Sequence, residues 1–343
     1  MTIKAELIKT VQKIAEKGKG ILAADESSST IKKRFDSINL ASTEENRRAY
    51  RDLLLTTPGI GNYISGVIFY EETLYQKTAD GTLFTKYLES QGVVPGIKVD
   101  LGLIDLALTD KEKTTQGLDG LPERLAEYKA AGARFAKWRC VYNISDVKPS
   151  AAAVRANAEL LARYAAICQT QGIVPIVEPE VLINGNHTLA RCETVTEDVL
   201  NKVFSSLRKH EVLLEGIILK PSMIISGDTC AKQATPQEVA EATVRVLKRT
   251  VPAAVPTINF LSGGQTPEQS TLHLDLMNKL GPLPWNLSFS YGRALQEPSL
   301  NTWQGKAANV PTAQKAFQKR MRLNSAASLG EYSESMERGA VTA

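Results

Sequence analysis

Short apolar runs alternate with helical patterns along almost the whole chain, and this alternation limits the possible folds more than any other feature. Candidate strands begin near residues 20, 64, 94, 134, 173, 213, 255 and 285, with a helical pattern after almost every one. Such runs are typical of buried parallel strands. An open, doubly wound sheet is the alternative, but no GxGxxG motif follows the first run. Eight strand-helix units predict an α/β fold, the closed (β/α)8 TIM barrel.

The length of 343 residues fits one such barrel with short extensions. We predict a single domain over residues 1–323, which begins with an amphipathic helix in MTIKAELIKTVQKIAEKGKG. Residues 324–343 lack hydrophobic periodicity and mix small and polar residues, so we predict a mobile C-terminal tail.

Four later helices have start signals. Each begins with a serine or threonine followed three residues later by glutamate or glutamine, as in a capping box. The predicted pairs are Ser42 with Glu45, Thr194 with Glu197, Thr235 with Glu238 and Thr266 with Gln269.

Composition excludes several classes of function. The 41 basic and 37 acidic residues give a dispersed net charge of +4, which does not indicate a nucleic-acid partner. No run approaches the roughly 18 apolar residues of a membrane span, and the first residues do not resemble a signal peptide. We therefore expect no membrane partner and a cytoplasmic location. Four widely spaced cysteines without a CxxC pair and three scattered histidines predict neither a metal site nor a cofactor.

Reactive types of side chain recur at the carboxyl ends of the candidate strands, where the active sites of barrel enzymes form. They are Asp25, Lys98, Lys137, Arg139, Glu178, Glu180, Lys220, Ser262, Gly263, Gly264 and Arg293. The period of two along a strand places Lys137 with Arg139 on one face, and Glu178 with Glu180 on one face. We expect all of these groups to meet in one mouth.

Lys220 ends the apolar segment LLEGIILKP, residues 213–221, which we predict to be a strand. A lysine held at such a mouth loses hydration, which favours the neutral amine that attacks a carbonyl carbon to form a Schiff base. A lysine that extends its ammonium group to water is the alternative. A nearby Lys137 favours the neutral amine and nearby carboxylates oppose it, so the sequence leaves the balance open.

A glycine pair follows the seventh candidate strand. The backbone N–H groups of Ser262, Gly263 and Gly264 can face a phosphate, aided by Gly292 and Arg293 after the eighth strand. Cations for anionic oxygens, carboxylates for proton transfer and an amine for covalent capture together suit a phosphorylated carbonyl compound.

At this level of detail the chain resembles class I fructose-1,6-bisphosphate aldolases, the metal-independent, Schiff-base type. The segments that carry the resemblance are GILAADES (20–27), TEENRRAYRDLLLTT (43–57), GIKVD (96–100), TTQGLDGL (114–121), FAKWRCV (135–141), ARYAAICQ (162–169), GIVPIVEPE (172–180), LEGIILKP (214–221), FLSGGQ (260–265) and FSYGRALQ (289–296). The resemblance implies reversible cleavage of fructose 1,6-bisphosphate to dihydroxyacetone phosphate and glyceraldehyde 3-phosphate, by a homotetramer, in glycolysis and gluconeogenesis.

The resemblance also implies catalytic roles. Lys220 matches the Schiff-base lysine, Glu178 the main acid/base carboxylate and Glu180 its assistant. Asp25 matches the aspartate that helps to cleave the C3–C4 bond, and Lys137 matches the lysine that handles the C2 substituent in the carbinolamine steps.

The resemblance implies two phosphate sites. Lys98 and Arg139 match groups near the C6 phosphate, and Arg34 matches a basic residue near the substrate mouth. The residues that match the C1-phosphate site are Ser262, Gly263, Gly292 and Arg293.

The chain departs from the family pattern in three places. Eukaryotic members end in a tyrosine that reaches the active site, whereas this sequence ends in ERGAVTA and Tyr332 is its nearest tyrosine. Ser28 and Ser29 replace a Thr-Gly pair, and Ser222 replaces a common Asn. Two alternatives stay open: a related Schiff-base enzyme for another sugar phosphate, such as sedoheptulose 1,7-bisphosphate, and a non-catalytic scaffold.

Overall fold

The computed structural model describes residues 2–338, in which eight parallel strands close into a barrel. The predicted (β/α)8 TIM barrel is thereby confirmed. In order around the barrel, the strands are β1 (Gly20–Ala24), β2 (Ile64–Phe69), β3 (Val94–Lys98), β6 (Phe135–Tyr142), β7 (Val174–Val181), β8 (Ile218–Leu219), β9 (Thr257–Phe260) and β10 (Asn286–Tyr291). An antiparallel hairpin that the sequence did not predict, β4 (Leu103–Asp105) with β5 (Lys113–Thr115), interrupts the connection after β3.

Helices surround the barrel. They are α1 (Ile3–Ile14), α2 (Ser28–Asp36), α3 (Glu44–Leu55), α4 (Ile60–Tyr63), α5 (Glu71–Leu74), α6 (Phe84–Ser90), α7 (Leu121–Ala130), α8 (Ala151–Thr170), α9 (Leu189–Lys209), α10 (Pro236–Thr250), α11 (Pro267–Lys279), α12 (Arg293–Trp303) and α13 (Val310–Ser328). Short 3₁₀ segments occupy Leu214–Gly216, Ala307–Asn309 and Glu334–Glu337. Among the helices described, none is long and apolar enough to cross a membrane.

The N-terminal helix closes the end of the barrel at which the strands begin. Leu7, Val11 and Ile14 of α1 are buried in one cluster with inward-facing residues of the strands, Phe135 among them. A methyl group on Gly96 would overlap the ring of Phe135, so β3 needs glycine where this ring fills the barrel. With one end filled by apolar side chains, the carboxyl ends of the strands form the open mouth.

Two of the predicted helix starts are confirmed as capping boxes, at Thr235 and at Thr266. The other two are wrong. Thr43, one residue after the predicted start, caps α3, and Thr188 caps α9 well before Thr194. In each case the helix begins at a threonine whose hydroxyl accepts a hydrogen bond from a free N–H group of the first turn. The predicted residue has the spacing of a capping box but is not the N-cap.

The strand predicted over residues 213–221 is shorter than expected. Its first part is the 3₁₀ turn, and only Ile218–Leu219 pair as β8. The side chain of Gln169, from α8, accepts a bond from Leu213 N and donates to the carbonyl oxygens of Leu213 and Gly216 at 2.9 and 3.2 Å. Because these backbone groups are satisfied by a side chain, the segment needs no strand partner.

The predicted boundary between barrel and tail falls inside α13, which continues to Ser328 with Asn324 buried. Tyr332 is also buried, and its hydroxyl donates to Glu337 Oε1 at 3.1 Å. Its N–H donates to Asp275 on α11. Residues 324–332 are therefore packed against the barrel, and residues 339–343 of the predicted tail lie outside the described residues.

Candidate active site

A cavity of about 400 Å³ opens at the carboxyl ends of the strands. Every site residue predicted from the sequence lines it: Asp25, Arg34, Lys98, Lys137, Arg139, Glu178, Glu180, Lys220, Ser262, Gly263, Gly264, Gly292 and Arg293. The parallel barrel explains this convergence, because it brings the ends of strands that are far apart in sequence to one rim.

Lys220 lies deep in the cavity, immediately after β8. Its backbone N–H donates to Val177 O on β7 at 2.8 Å, which fixes the residue beside that strand. Its Nζ lies 3.1 Å from Glu178 Oε1, and both side chains are only 4% exposed. An amine and a carboxylate in this contact can exchange a proton without water between them.

Glu178 also faces a second lysine. Its Oε2 lies 3.5 Å from Lys137 Nζ, and Lys137 Nζ lies 2.5 Å from Asp25 Oδ2. The side chains thus form a buried row of alternating charge, Lys220, Glu178, Lys137 and Asp25.

The neighbouring charges outweigh burial at the far end of this row. Burial by itself raises the pKa of Asp25. The charges of Lys137, Lys220 and Lys98, with the hydrogen bond from Lys137, have a larger effect in the opposite direction, so the pKa of Asp25 lies well below its ordinary value. Burial lowers the pKa of Lys137, whereas Asp25 and Glu178 raise it, and the net shift is upward. Asp25 is therefore a carboxylate and Lys137 an ammonium ion at neutral pH.

Glu180 has a different environment from Glu178, although the two point to the same side of β7. Its Oε2 accepts a hydrogen bond from Arg139 Nε. Burial lowers the pKa of Arg139, but the charge and hydrogen bond of Glu180 raise it above its ordinary value. Glu180 is thus paired with Arg139, whereas Glu178 faces the two lysines.

Two carboxylates in the cavity lining were not among the predicted site residues. Asp100, two residues after Lys98, holds Lys98 Nζ at 2.8 Å from its Oδ1. Its position at the end of the third strand could have indicated it. Glu26 pairs with Arg34 and with Arg51, which lies 25 residues away. In the sequence, only its position next to Asp25 indicated that it belongs to the site.

The glycine loop after β9 has the backbone shape of an anion site. Gly263 and Gly264 have φ angles of +50° and +89°, in the left-handed region that favours glycine. Arg293 donates to Gln265 O at 3.1 Å, which ties this loop to the start of α12. Gly292 is the N-cap of α12, whose first N–H groups and positive dipole end lie at the cavity.

Comparisons with known proteins agree on one family. The family model for class-I fructose-bisphosphate aldolase matches residues 6–343. The chain belongs to the class-I fructose-bisphosphate aldolase family. It is 55% identical to the non-muscle fructose-bisphosphate aldolase of Lethenteron camtschaticum over 96% of this chain and 91% of the relative. It is 56% identical to the cytoplasmic isozyme of Spinacia oleracea over 95% of this chain and 92% of that protein.

A solved structure extends the agreement to three dimensions. The Plasmodium falciparum fructose-bisphosphate aldolase, solved in complex with TRAP and a small-molecule inhibitor, superposes with a TM-score of 0.95 at 52% identity, covering 96% of each chain. The resemblance found in the sequence is confirmed, and the activity is that of a glycolytic aldolase that reversibly cleaves fructose 1,6-bisphosphate. The relatives named here do not support the sedoheptulose bisphosphate or scaffold alternative.

Proposed function

We propose that Lys220 is the amine that forms the Schiff base in fructose 1,6-bisphosphate cleavage. The contact between Lys220 Nζ and Glu178 Oε1 carries this proposal. The neutral amine attacks the C2 carbonyl carbon, and the carbinolamine loses water to give an iminium ion. The C3–C4 bond then breaks as the C4 hydroxyl gives its proton to Glu178, which is a carboxylate again after the loss of water, and glyceraldehyde 3-phosphate is released. The remaining enamine is protonated at C3, and hydrolysis frees dihydroxyacetone phosphate and the amine.

The three other members of the row have separate roles in this scheme. Glu178 accepts the proton that Lys220 loses and returns one to the departing C2 hydroxyl, since it is the carboxylate in contact with Lys220. Lys137, held as an ammonium ion, stabilises negative charge on the C2 oxygen. Asp25, held as a carboxylate, accepts a hydrogen bond from the C4 hydroxyl while the C3–C4 bond breaks.

The phosphates of the substrate take opposite sides of Lys220. Ser262, Gly263, Gly264, Gly292 and Arg293, with Arg34 beside them, form the C1-phosphate site. Lys98 and Arg139 attract the C6 phosphate, and Glu180 supports Glu178 while it orients Arg139. A bisphosphate matches two cationic ends better than a monophosphate does.

The assembly and location follow the family. We propose a cytoplasmic location, since relatives carry the names cytosolic and cytoplasmic isozyme. We also propose a homotetramer, which is what the resemblance to this family implies. Light scattering on the purified protein would give a mass of four chains; a monomer at micromolar concentration would contradict the proposal.

Trapping with borohydride tests the Schiff base directly. With dihydroxyacetone phosphate present, borohydride should reduce the iminium and leave a stable label on the peptide that contains Lys220. Omission of the ketone is the control, and a label on any other lysine would refute the assignment.

EDTA should not change the rate of fructose 1,6-bisphosphate cleavage. Within residues 2–338, no histidine or cysteine lines the cavity, and no group of three or more Asp, Glu, His and Cys side chains is placed to bind a metal ion.

Removing the guanidinium group of Arg293 should weaken substrate binding more than turnover. Charge-assisted hydrogen bonds contribute about 1.5–3 kcal/mol, so Arg293→Ala should raise KM for fructose 1,6-bisphosphate by roughly 10- to 100-fold with a smaller change in kcat. Steady-state kinetics would measure both. Arg155→Ala, at an exposed position on α8, is the matched control. An unchanged KM would contradict the proposed role of Arg293 in the C1-phosphate site.

A further inference from the structure

Glu26 is a buried carboxylate that pairs with two guanidinium groups. Its Oε1 contacts Arg34 Nη1, and its Oε2 lies 2.5 Å from Arg51 Nη2. The side chain of Glu26 is 5% exposed and that of Arg51 is 3% exposed. Burial by itself raises the pKa of Glu26, but Arg34 and Arg51 lower it and the net shift is downward, so the carboxylate stays ionised.

The pair is joined to the start of α12 by Gln296. The side-chain amide of Gln296 donates to Glu26 Oε1 at 2.9 Å and to Ala23 O, on β1, at 2.7 Å. Gln296 lies one turn after Gly292, the N-cap of α12. The cluster of Glu26, Arg34, Arg51 and Gln296 is thus rigidly connected to the helix terminus that lines the cavity.

Arg34 carries the positive charge of this cluster to the cavity. Its Nη1 is used by Glu26, whereas a Cβ on Gly292 would lie 3.6 Å from its Nη2. Within residues 2–338, this Nη2 donates no hydrogen bond to the protein. Arg34 therefore presents donors beside Gly292, and Arg51 does not line the cavity at all.

The second arginine changes the net charge of the cluster. Glu26 and Arg34 alone would form a neutral pair, which attracts a phosphate weakly. With Arg51 the cluster has one net positive charge, and Glu26 still fixes the orientation of Arg34. Glu26 and Arg51 are buried, so solvent screens their charges less than it screens charges on the surface.

We propose that Arg51 is a positioning residue for the C1 phosphate. It acts through Glu26 and keeps this cluster net positive. This inference rests on the proposed position of that phosphate beside Gly292 and Arg293. The two substrates of the condensation reaction allow the two phosphate sites to be tested separately. In this scheme dihydroxyacetone phosphate supplies the C1 phosphate, and glyceraldehyde 3-phosphate supplies the C6 phosphate.

Arg51→Gln removes the charge and keeps a donor for Glu26. The half-saturating concentration of dihydroxyacetone phosphate should rise about tenfold, while that of glyceraldehyde 3-phosphate and kcat should change by less than about threefold. Arg51→Lys, which retains the charge, should stay within about threefold of the parent for both substrates. Equal weakening for both substrates in Arg51→Gln would indicate general damage and overturn the proposal.

A double variant separates charge from damage. Glu26→Gln combined with Arg51→Gln leaves Arg34 as the one charge of the cluster, so the affinity for dihydroxyacetone phosphate should return to within about threefold of the parent. An affinity that stays about tenfold weaker than that of the parent would overturn the charge-setting role. If Arg51→Gln does not fold, as judged by thermal unfolding, the double variant still tests the proposal, because it leaves no carboxylate with a missing partner.

Arg293→Ala distinguishes this inference from the function on which it rests. If Arg293→Ala weakens dihydroxyacetone phosphate binding and Arg51→Gln does not, the role of Arg51 is wrong and the phosphate site remains. If neither variant changes that affinity, the proposed C1-phosphate site is itself wrong.

Discussion

Lys220→Arg is expected to lower turnover of fructose 1,6-bisphosphate by about 10⁵-fold, the scale on which enzymes lose activity with their nucleophile. Arginine keeps the charge and much of the length of lysine, but its guanidinium group does not become a neutral amine near pH 7. It can still contact Glu178. Cleavage would be measured in a coupled assay, and borohydride with dihydroxyacetone phosphate should leave no label.

Two controls make this result specific. Lys232→Arg is the same substitution at an exposed position twelve residues further along the chain, and it should leave turnover unchanged. Inorganic phosphate should still compete with fructose 1,6-bisphosphate for binding to Lys220→Arg, because the residues that bind phosphate are retained. Turnover above about one per cent of the parent, in protein free of contaminating aldolase, would place the nucleophile at another residue.

The positions of the site residues could be predicted from the sequence because the fold has a simple rule. Apolar runs locate the strands, and the polar residue at the end of each run must then face the common mouth. The period of two then placed Lys137 with Arg139 on one face, and Glu178 with Glu180 on one face. The rule needs only the strand ends, so it was unaffected by the error in the start of the Lys220 strand.

Contacts between remote residues could not be predicted in this way. Glu26 looked like one more polar residue after β1, because its partners Arg51 and Gln296 lie 25 and 270 residues away. The replacement of a strand by a turn near Leu213 depended on Gln169, 44 residues earlier. Periodicity describes which face a residue is on, but not which distant side chain satisfies its backbone.

One departure from the family pattern has a structural explanation. Ser222 is buried, and its hydroxyl donates to Val181 O at 2.9 Å. The bond ties the segment after Lys220 to the end of β7, the strand that carries Glu178. A short hydroxyl side chain is therefore sufficient to make this link.

Tyr332 lies in the segment that composition predicts to be a mobile tail. It is also the tyrosine nearest to the C-terminus, where eukaryotic members of the family have a tyrosine that reaches the active site. In the structure its ring is buried and its hydroxyl is bonded to Glu337, while burial raises the pKa of Tyr332 above its ordinary value. It does not line the cavity. Packing is thus the role that its contacts support, and in the proposed mechanism Glu178 or water protonates the enamine.

The two carboxylates of β7 provide the second large expected effect. Glu178→Gln keeps the shape of the side chain and a possible contact with Lys220, but an amide cannot accept and return a proton. General acid–base groups contribute about 10²–10⁴-fold, so kcat should fall by roughly 10³-fold. Rapid acid quenching during the first turnover would measure how much iminium forms. A smaller amount than in the parent would show that dehydration of the carbinolamine is impaired.

Glu180→Gln is the matched comparison, since it makes the same change two residues along the same face. Glu180 is bonded to Arg139 and makes no contact with Lys220 within the described residues, so its replacement should lower kcat only about tenfold. Its larger effect should be on KM for the bisphosphate, because Arg139 loses the partner that orients it toward the C6 phosphate. Equal losses of kcat in the two variants would mean that the proton moves through both carboxylates, and the assignment of Glu178 as the main acid/base group would then be wrong.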